Sequence, residues 1–172
     1  MGVFNHISFS VKSASKLPDD VKIDIMQDSA ALLQFGFNLP VAVSGGAAFR
    51  HPAEPPRTML VMGHFDTGAS VTSIDTQLAG FLGLVPVGFS TSHTAAGPSR
   101  MPCYAVDVSF PGTSLRPREN LMVGSCKLPF DLEKAKAEPR DARNFGLLIG
   151  RDIMARWNVC WNGTTSTVTV GD

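Results

Sequence analysis

Asp66 is the one acidic residue in the stretch HFDTGASVTS, where it stands among small and hydroxylated side chains. A carboxylate in such a run can take a proton from water, or it can close a turn by accepting hydrogen bonds from its own backbone. The triplet Asp66-Thr67-Gly68 does not choose between these, since ordinary residue frequencies produce Asp-Ser/Thr-Gly in roughly one chain in fifteen of this length. The other reactive side chains offer less. Cys103, Cys126 and Cys160 are odd in number and form no CxxC pair, which fits reduced thiols in a cytosol-like compartment. A cysteine nucleophile would need a histidine base, and none is placed for it. His6, His51, His64 and His93 lack ligand spacing, so neither a metal nor a cofactor is expected.

The elements around Asp66 give it a context. RTMLVMGHFDTGAS begins as a β-rich apolar run and stops at Asp66, which puts the carboxylate at the end of a buried strand. TSIDTQLAGFLGL follows, with Ile74, Leu78 and Phe81 at helical spacing, Thr72 and Asp75 in a capping-box arrangement and Gly83 as the stop. Residues 87–110 read as a hairpin, two extended segments around the small-residue tip Ala95-Ala96-Gly97. ENLMVGS is a further strand, and DLEKAKAEPRDARN is a charged, loosely helical surface insertion. FGLLIGRDIMARWNVCWNGTTSTVTV combines an apolar strand into Gly150, a short helix and a hairpin turning on Asn162-Gly163, with Cys160 as a small core residue. Upstream, FGFNLPVAVS is a strand running into a proline-rich loop, while residues 1–32 carry no motif and could hold a strand and a short helix.

Composition narrows the function classes. The 172 residues suit one compact domain able to bury its apolar side chains without covalent staples. Formal charge is zero and the arginines are scattered, so nucleic acid is not an expected partner. No apolar run reaches transmembrane length and MGVFNHISFS has no basic region leading into a long apolar core. The expectation is therefore a cytoplasmic protein without a membrane partner.

In order and spacing, the apolar strand into Asp66-Thr67-Gly68-Ala69-Ser70, the small-tipped hairpin, ENLMVG and LLIGRDIM together resemble the retroviral-type, or retropepsin-like, aspartic proteases and their single-domain cellular and bacterial relatives. The resemblance implies a mainly β fold, a single-lobe acid-protease β-barrel with short helices, over residues 33–172. Residues 1–32 form an N-terminal extension of unknown role.

What the resemblance implies for chemistry follows from the family's pair of aspartates. Two carboxyls sharing a proton supply both a base for the attacking water and an acid for the leaving amide, because like charges about 3 Å apart cannot both ionise. No internal repeat supplies a second triplet, so the pair requires two copies of Asp66 in a homodimer, an isologous arrangement. Asp66 is then the catalytic residue of an endopeptidase acting on a peptide or protein substrate. Thr67 would hydrogen-bond across the two-fold axis, Gly68 would let the backbone approach substrate, and Ala69 and Ser70 would support the loop. Ala95, Ala96 and Gly97 would form the tip of a flap, and Gly150 a tight strand-to-helix passage near the aspartate. Two positions depart from the family pattern. Pro98 removes a backbone donor beside the tip. Arg151 faces Ser70 or Val71 where the family has an acidic residue, which leaves Asp152, Asp75 or a subunit contact as its partner. The alternative function is an inactive retropepsin-like module kept for dimerisation or peptide binding.

Overall fold

The computed structural model describes residues 7–9, 36–49, 55–94, 97–162 and 167–171. In chain order these form β1 (Ile7–Phe9), β2 (Asn38–Gly45), a 3-10 turn (Ala47–Phe49), β3 (Thr58–Phe65), β4 (Ser73–Asp75), α1 (Thr76–Phe81), β5 (Gly88–Thr94) and β6 (Gly97–Ser109). They continue with β7 (Arg118–Cys126), α2 (Leu132–Ala137), β8 (Phe145–Ile149), α3 (Arg151–Met154), β9 (Asn158–Asn162) and β10 (Thr167–Gly171).

Alternation drives the sheet. Leu39, Val41 and Val43 of β2 point one way and are fully buried, as period-2 side chains on a core-facing strand must be. Val61, Ile74, Leu78, Val106, Val108, Val123, Leu147 and Ile149 complete the same core. The strand order is β2-β3-β8-β4-β7-β6-β5, and a further β2–β6 pairing closes six of these strands into a barrel, leaving β5 as an outer strand on β6. The molecule is thus mainly β, a single barrel with short helices.

One crossing in this barrel positions everything that follows. β8 lies between β3, to which it is parallel, and β4, to which it is antiparallel; β4 is in turn parallel to β7. The chain leaving β3 therefore has to pass over the end of β8 to enter β4. Residues 66–72 make that passage.

Several local expectations change. Ser73–Asp75 is not the first turn of a helix but a strand held between β7 and β8, with Ile74 in the core. The N-cap of α1 is Asp75, not Thr72: its Oδ1 accepts from the Gln77 N–H at 2.7 Å and its Oδ2 from the Leu128 N–H at 2.8 Å. That second bond ties the helix start to the chain after β7, which is why a carboxylate only 1 % exposed is tolerated there. Gly83, at φ +67°, follows the C-cap as expected.

The C-terminal hairpin also differs from expectation. Asn162 pairs with Thr167 and Trp161 with Val168, so four residues join β9 to β10 and Asn162-Gly163 is not a two-residue turn. A separate sheet has the order β1-β10-β9, so the N-terminal stretch contributes a strand to the C-terminal hairpin. Val168 and Val170 of β10 are buried, but every residue of β9 is exposed. Cys160 is accordingly a surface residue and not a core one, because β9 is the edge of its sheet. No helix among the described residues is long and apolar enough to cross a membrane.

Candidate active site

Asp66 follows β3 directly. Its N–H donates to the Ile149 carbonyl at 3.1 Å, extending the β3–β8 ladder by one bond, and its chain then turns away. The turn closes on the carboxylate: the N–H groups of Gly68 and Ala69 donate to Asp66 Oδ1 at 2.8 Å and 3.3 Å. Among the described residues Asp66 Oδ2 accepts no hydrogen bond. The carboxyl is half-buried, with one oxygen fixed by backbone and the other uncommitted. The turn reading of the motif is thus present in the structure, and its bonds engage one carboxylate oxygen while leaving the other open. Gly68 has a local role here, because a Cβ at this position would lie 3.0 Å from Asp66 Oδ1.

The loop is braced from the far side by the Gly150-Arg151-Asp152 stretch. Arg151 Nη1 donates to the carbonyls of Thr67 at 2.7 Å and Gly68 at 3.2 Å, and its backbone N–H donates to the Ala69 carbonyl at 3.0 Å. Its partners are thus main-chain oxygens of the turn itself, not Asp152 or Asp75. A terminal guanidinium nitrogen carries two N–H donors, so Nη1 alone can reach two successive carbonyls where a carboxylate partner is missing. Asp152 turns to Thr72 instead, accepting from its N–H at 2.9 Å and its hydroxyl at 2.7 Å.

Thr72 Oγ1 accepts in turn from the Gly150 N–H at 3.1 Å, so a fully buried hydroxyl links the two crossing segments. Thr72→Val should keep the shape and remove both bonds. The orphaned Gly150 N–H and the weakened Asp152 acceptor predict a loss of about 2 kcal/mol, read as a lower midpoint in denaturant titration. Unchanged stability would mean that the link contributes nothing.

Gly150 is buried at the crossing itself. A Cβ there would stand 2.5 Å from the Val71 carbonyl carbon and 2.8 Å from the Thr72 nitrogen. Its φ of −88° and ψ of 179° suit any residue, so the requirement for glycine is close approach and not backbone conformation.

Two features near Asp66 escaped the motif reading. Phe65 belongs to an aromatic cluster, edge-on to Phe37 at 4.5 Å and stacked with Trp157 at 5.8 Å, and Trp157 meets Phe110 at 5.0 Å. The cluster anchors the strand end that carries the carboxylate. His64 lies two residues before Asp66, with Nδ1 3.1 Å from Asn38 Oδ1 and its ring stacked on Phe145 at 4.7 Å. Strand alternation, which places residues two apart on one face, was the available signal for His64. Nothing local announces the aromatic cluster, whose members lie far apart in sequence.

Thr67, Gly68 and Ser70 are exposed and Ala69 half-buried, all in the loop with Asp66. Gly97 opens β6 at φ +110° and pairs with Thr94, so the β5–β6 hairpin has a two-residue tip. That tip, Ala95 and Ala96, lies outside the described residues. Pro98 sits opposite His93 in the ladder. Burial pushes the Cys126 thiol up from its usual value, with the Asp75 charge adding to the rise against the Ser73 hydrogen bond, which suits an inert thiol and not a nucleophile.

No family model matches the chain, and no curated protein matches it. Among solved structures, the chain is similar to a retropepsin-like aspartic protease from Rickettsia conorii, at a TM-score of 0.50 and 11 % identity, over 98 % of this chain and 91 % of that one. The fold is retropepsin-like. A foamy viral protease-reverse transcriptase, solved with an RNA/DNA hybrid, is similar over 70 % of the chain at a TM-score of 0.39 and 16 % identity; the present chain spans 12 % of that polypeptide. Within the retropepsin-like fold of this chain, the loop carrying Asp66 is the passage between β3 and β4, braced by the end of β8.

Proposed function

We propose that the protein is an aspartic endopeptidase in which two Asp66 carboxylates, one from each subunit of a homodimer, activate a water molecule against a peptide bond. The observation that supports this most directly is the state of the carboxyl: Oδ1 is oriented by the Gly68 and Ala69 N–H groups while Oδ2 is uncommitted at a half-buried position. One ionised carboxyl takes a proton from the water as its oxygen attacks the carbonyl. The other, protonated, delivers its proton to the amide nitrogen as the C–N bond breaks. Substrate lies extended between the aspartates and the β5–β6 hairpin, whose small tip, Ala95, Ala96 and Gly97, acts as a flap, and Thr67 bonds across the two-fold axis.

Cleavage should follow a bell-shaped pH profile whose limbs belong to the pair, and a statine-like or hydroxyethylene peptide should inhibit tightly as a mimic of the tetrahedral intermediate. A peptide-library cleavage profile of the parent protein tests this reading. Absence of any acid-to-neutral cleavage that such inhibitors suppress would reject it.

The second subunit has a candidate surface. Among the described residues β9 pairs only with β10 and presents Val159 and Trp161, 42 % and 52 % exposed, on an edge those residues leave open, the kind of strand that invites pairing with another chain. β9 is connected to the site through Trp157, which stacks on Phe65 next to Asp66. Trp161→Lys is expected to weaken the dimer by about 30-fold or more, the scale of losing one interface anchor, without destabilising the monomer. Sedimentation equilibrium reads the change, and specific activity should fall with dilution. Equal dimerisation in parent and variant would move the interface elsewhere.

A further inference from the structure

The ring of His64 is held more firmly than a half-buried side chain needs to be. On β2, Asn38 stands directly across the ladder from His64 and is itself 2 % exposed. Its Oδ1, 3.1 Å from Nδ1, fixes one edge of the imidazole; with Nδ1–H donating to that oxygen, the neutral ring keeps its lone pair on Nε2. Phe145 of β8 stacks on the ring. The third contact comes from Gly36, whose φ of +64° brings its backbone against the imidazole so closely that a Cβ there would lie 2.7 Å from Cε1. Asn38, Gly36 and Phe145 are all uncharged. Among the described residues the ionisable group whose charge reaches the ring is Asp66.

We propose that His64 is a positioning residue of the site, a clamped imidazole whose charge state is coupled to that of Asp66 and makes the electrostatic environment of the carboxyls respond to pH. Both members of the coupling lie in one subunit, two residues apart at the end of β3, so a homodimer carries two such pairs around its shared water. Burial pushes the His64 imidazole below its usual value and the Asp66 charge pulls it partly back. The ring is neutral above that displaced value and becomes a cation beside the carboxyls as pH falls through it. The kinetic consequence rests on the endopeptidase reading of Asp66; the coupling itself does not.

The test therefore has two arms. In the first, the His64 Cε1 proton is titrated by NMR in the parent and in Asp66→Asn. His64 should titrate below pH 6.5 in the parent, and at still lower pH in the variant, where the attractive charge is gone. Identical His64 titrations in the two proteins overturn the inference, whether or not either cleaves peptides. In the second, kcat/KM is followed against pH in the parent, in His64→Gln and in Asn38→Asp. His64→Gln should lose an inflection that the parent shows below pH 6.5, and Asn38→Asp, which sets a carboxylate on Nδ1, should move that inflection to higher pH. Superimposable profiles across all three active proteins overturn the inference. Should His64→Gln fail to fold, Asn38→Asp decides the kinetic arm alone, supporting the coupling if the inflection moves and rejecting it if it does not. A parent that cleaves nothing under any condition rejects the endopeptidase reading and leaves the NMR arm to decide the coupling.

Discussion

Asp66→Asn is expected to abolish peptide cleavage, lowering kcat/KM by about a thousandfold or more, within the range for loss of a group that moves protons in the transition state. The expectation is sharp because the substitution spares the local structure. An asparagine Oδ1 still accepts from Gly68 N–H and Ala69 N–H, bonds now 2.8 Å and 3.3 Å long, and the Asp66 N–H keeps its bond to Ile149. What disappears is the capacity to take and return a proton. Circular dichroism and melting temperature should match the parent while cleavage does not. Mixing adds a second test of the two-subunit site. Excess Asp66→Asn chains should suppress parent activity by drawing parent subunits into dimers with a single carboxylate. Cleavage by the variant at the parent rate would remove Asp66 from the mechanism, and unsuppressed activity after full subunit exchange would remove the shared site.

Gly150→Ala is expected to cost about 3 kcal/mol, at the upper end for inserting a methyl into a filled space, and to lower Tm by about 6 to 12 °C for a chain of this size. The obstacle is main chain. The Val71 carbonyl carbon and Thr72 nitrogen, 2.5 Å and 2.8 Å from the new carbon, cannot rotate aside as a side chain would. Relief requires lifting the 66–72 passage off the end of β8, which stretches the bonds from Arg151 to Thr67 and Gly68 and from Gly150 to Thr72. Activity should therefore fall even below the melting range, as the carboxyl loses its bracing. Differential scanning calorimetry beside a cleavage assay measures both effects, and an alanine variant as stable as the parent would mean that the crossing is looser than these distances.

Residue order made the strand into Asp66, the β5–β6 hairpin and the β8 strand into Gly150 legible, because each is a run of apolar or alternating residues ended by small ones. The resemblance to the retropepsin-like family arranged those pieces into a barrel. The errors share one physical cause, which is tertiary contact outweighing local pattern. Ser73–Asp75 follows helical spacing, yet it is captured as a strand by β7 and β8, and its Asp75 caps the helix one turn later than expected. Cys160 reads as a core residue, yet with Val159 and Trp161 it lies on a sheet edge that nothing among the described residues covers. Asn162-Gly163 is a strong turn signal, overridden by a register that buries Val168 and Val170. Around the candidate site, the place of Asp66 at a strand end was legible from its neighbours. Its bracing was not, since Arg151 and Thr67 are 84 residues apart and Gly150 and Thr72 are 78 apart.

The threading of β8 between β3 and β4 also sets an order in time. A chain emerging from the ribosome presents Asp66, its turn and the β5–β6 hairpin well before Phe145–Ile149 exists. Until then the Asp66 N–H has no Ile149 carbonyl to meet, and the turn has no Arg151 beneath it. Contacts of such long sequence separation form late and slowly. The turn around Asp66 is thus braced by Ile149 and Arg151 only once residues lying 84 positions beyond Thr67 have been made, and until then it rests on its own local bonds to Gly68 and Ala69.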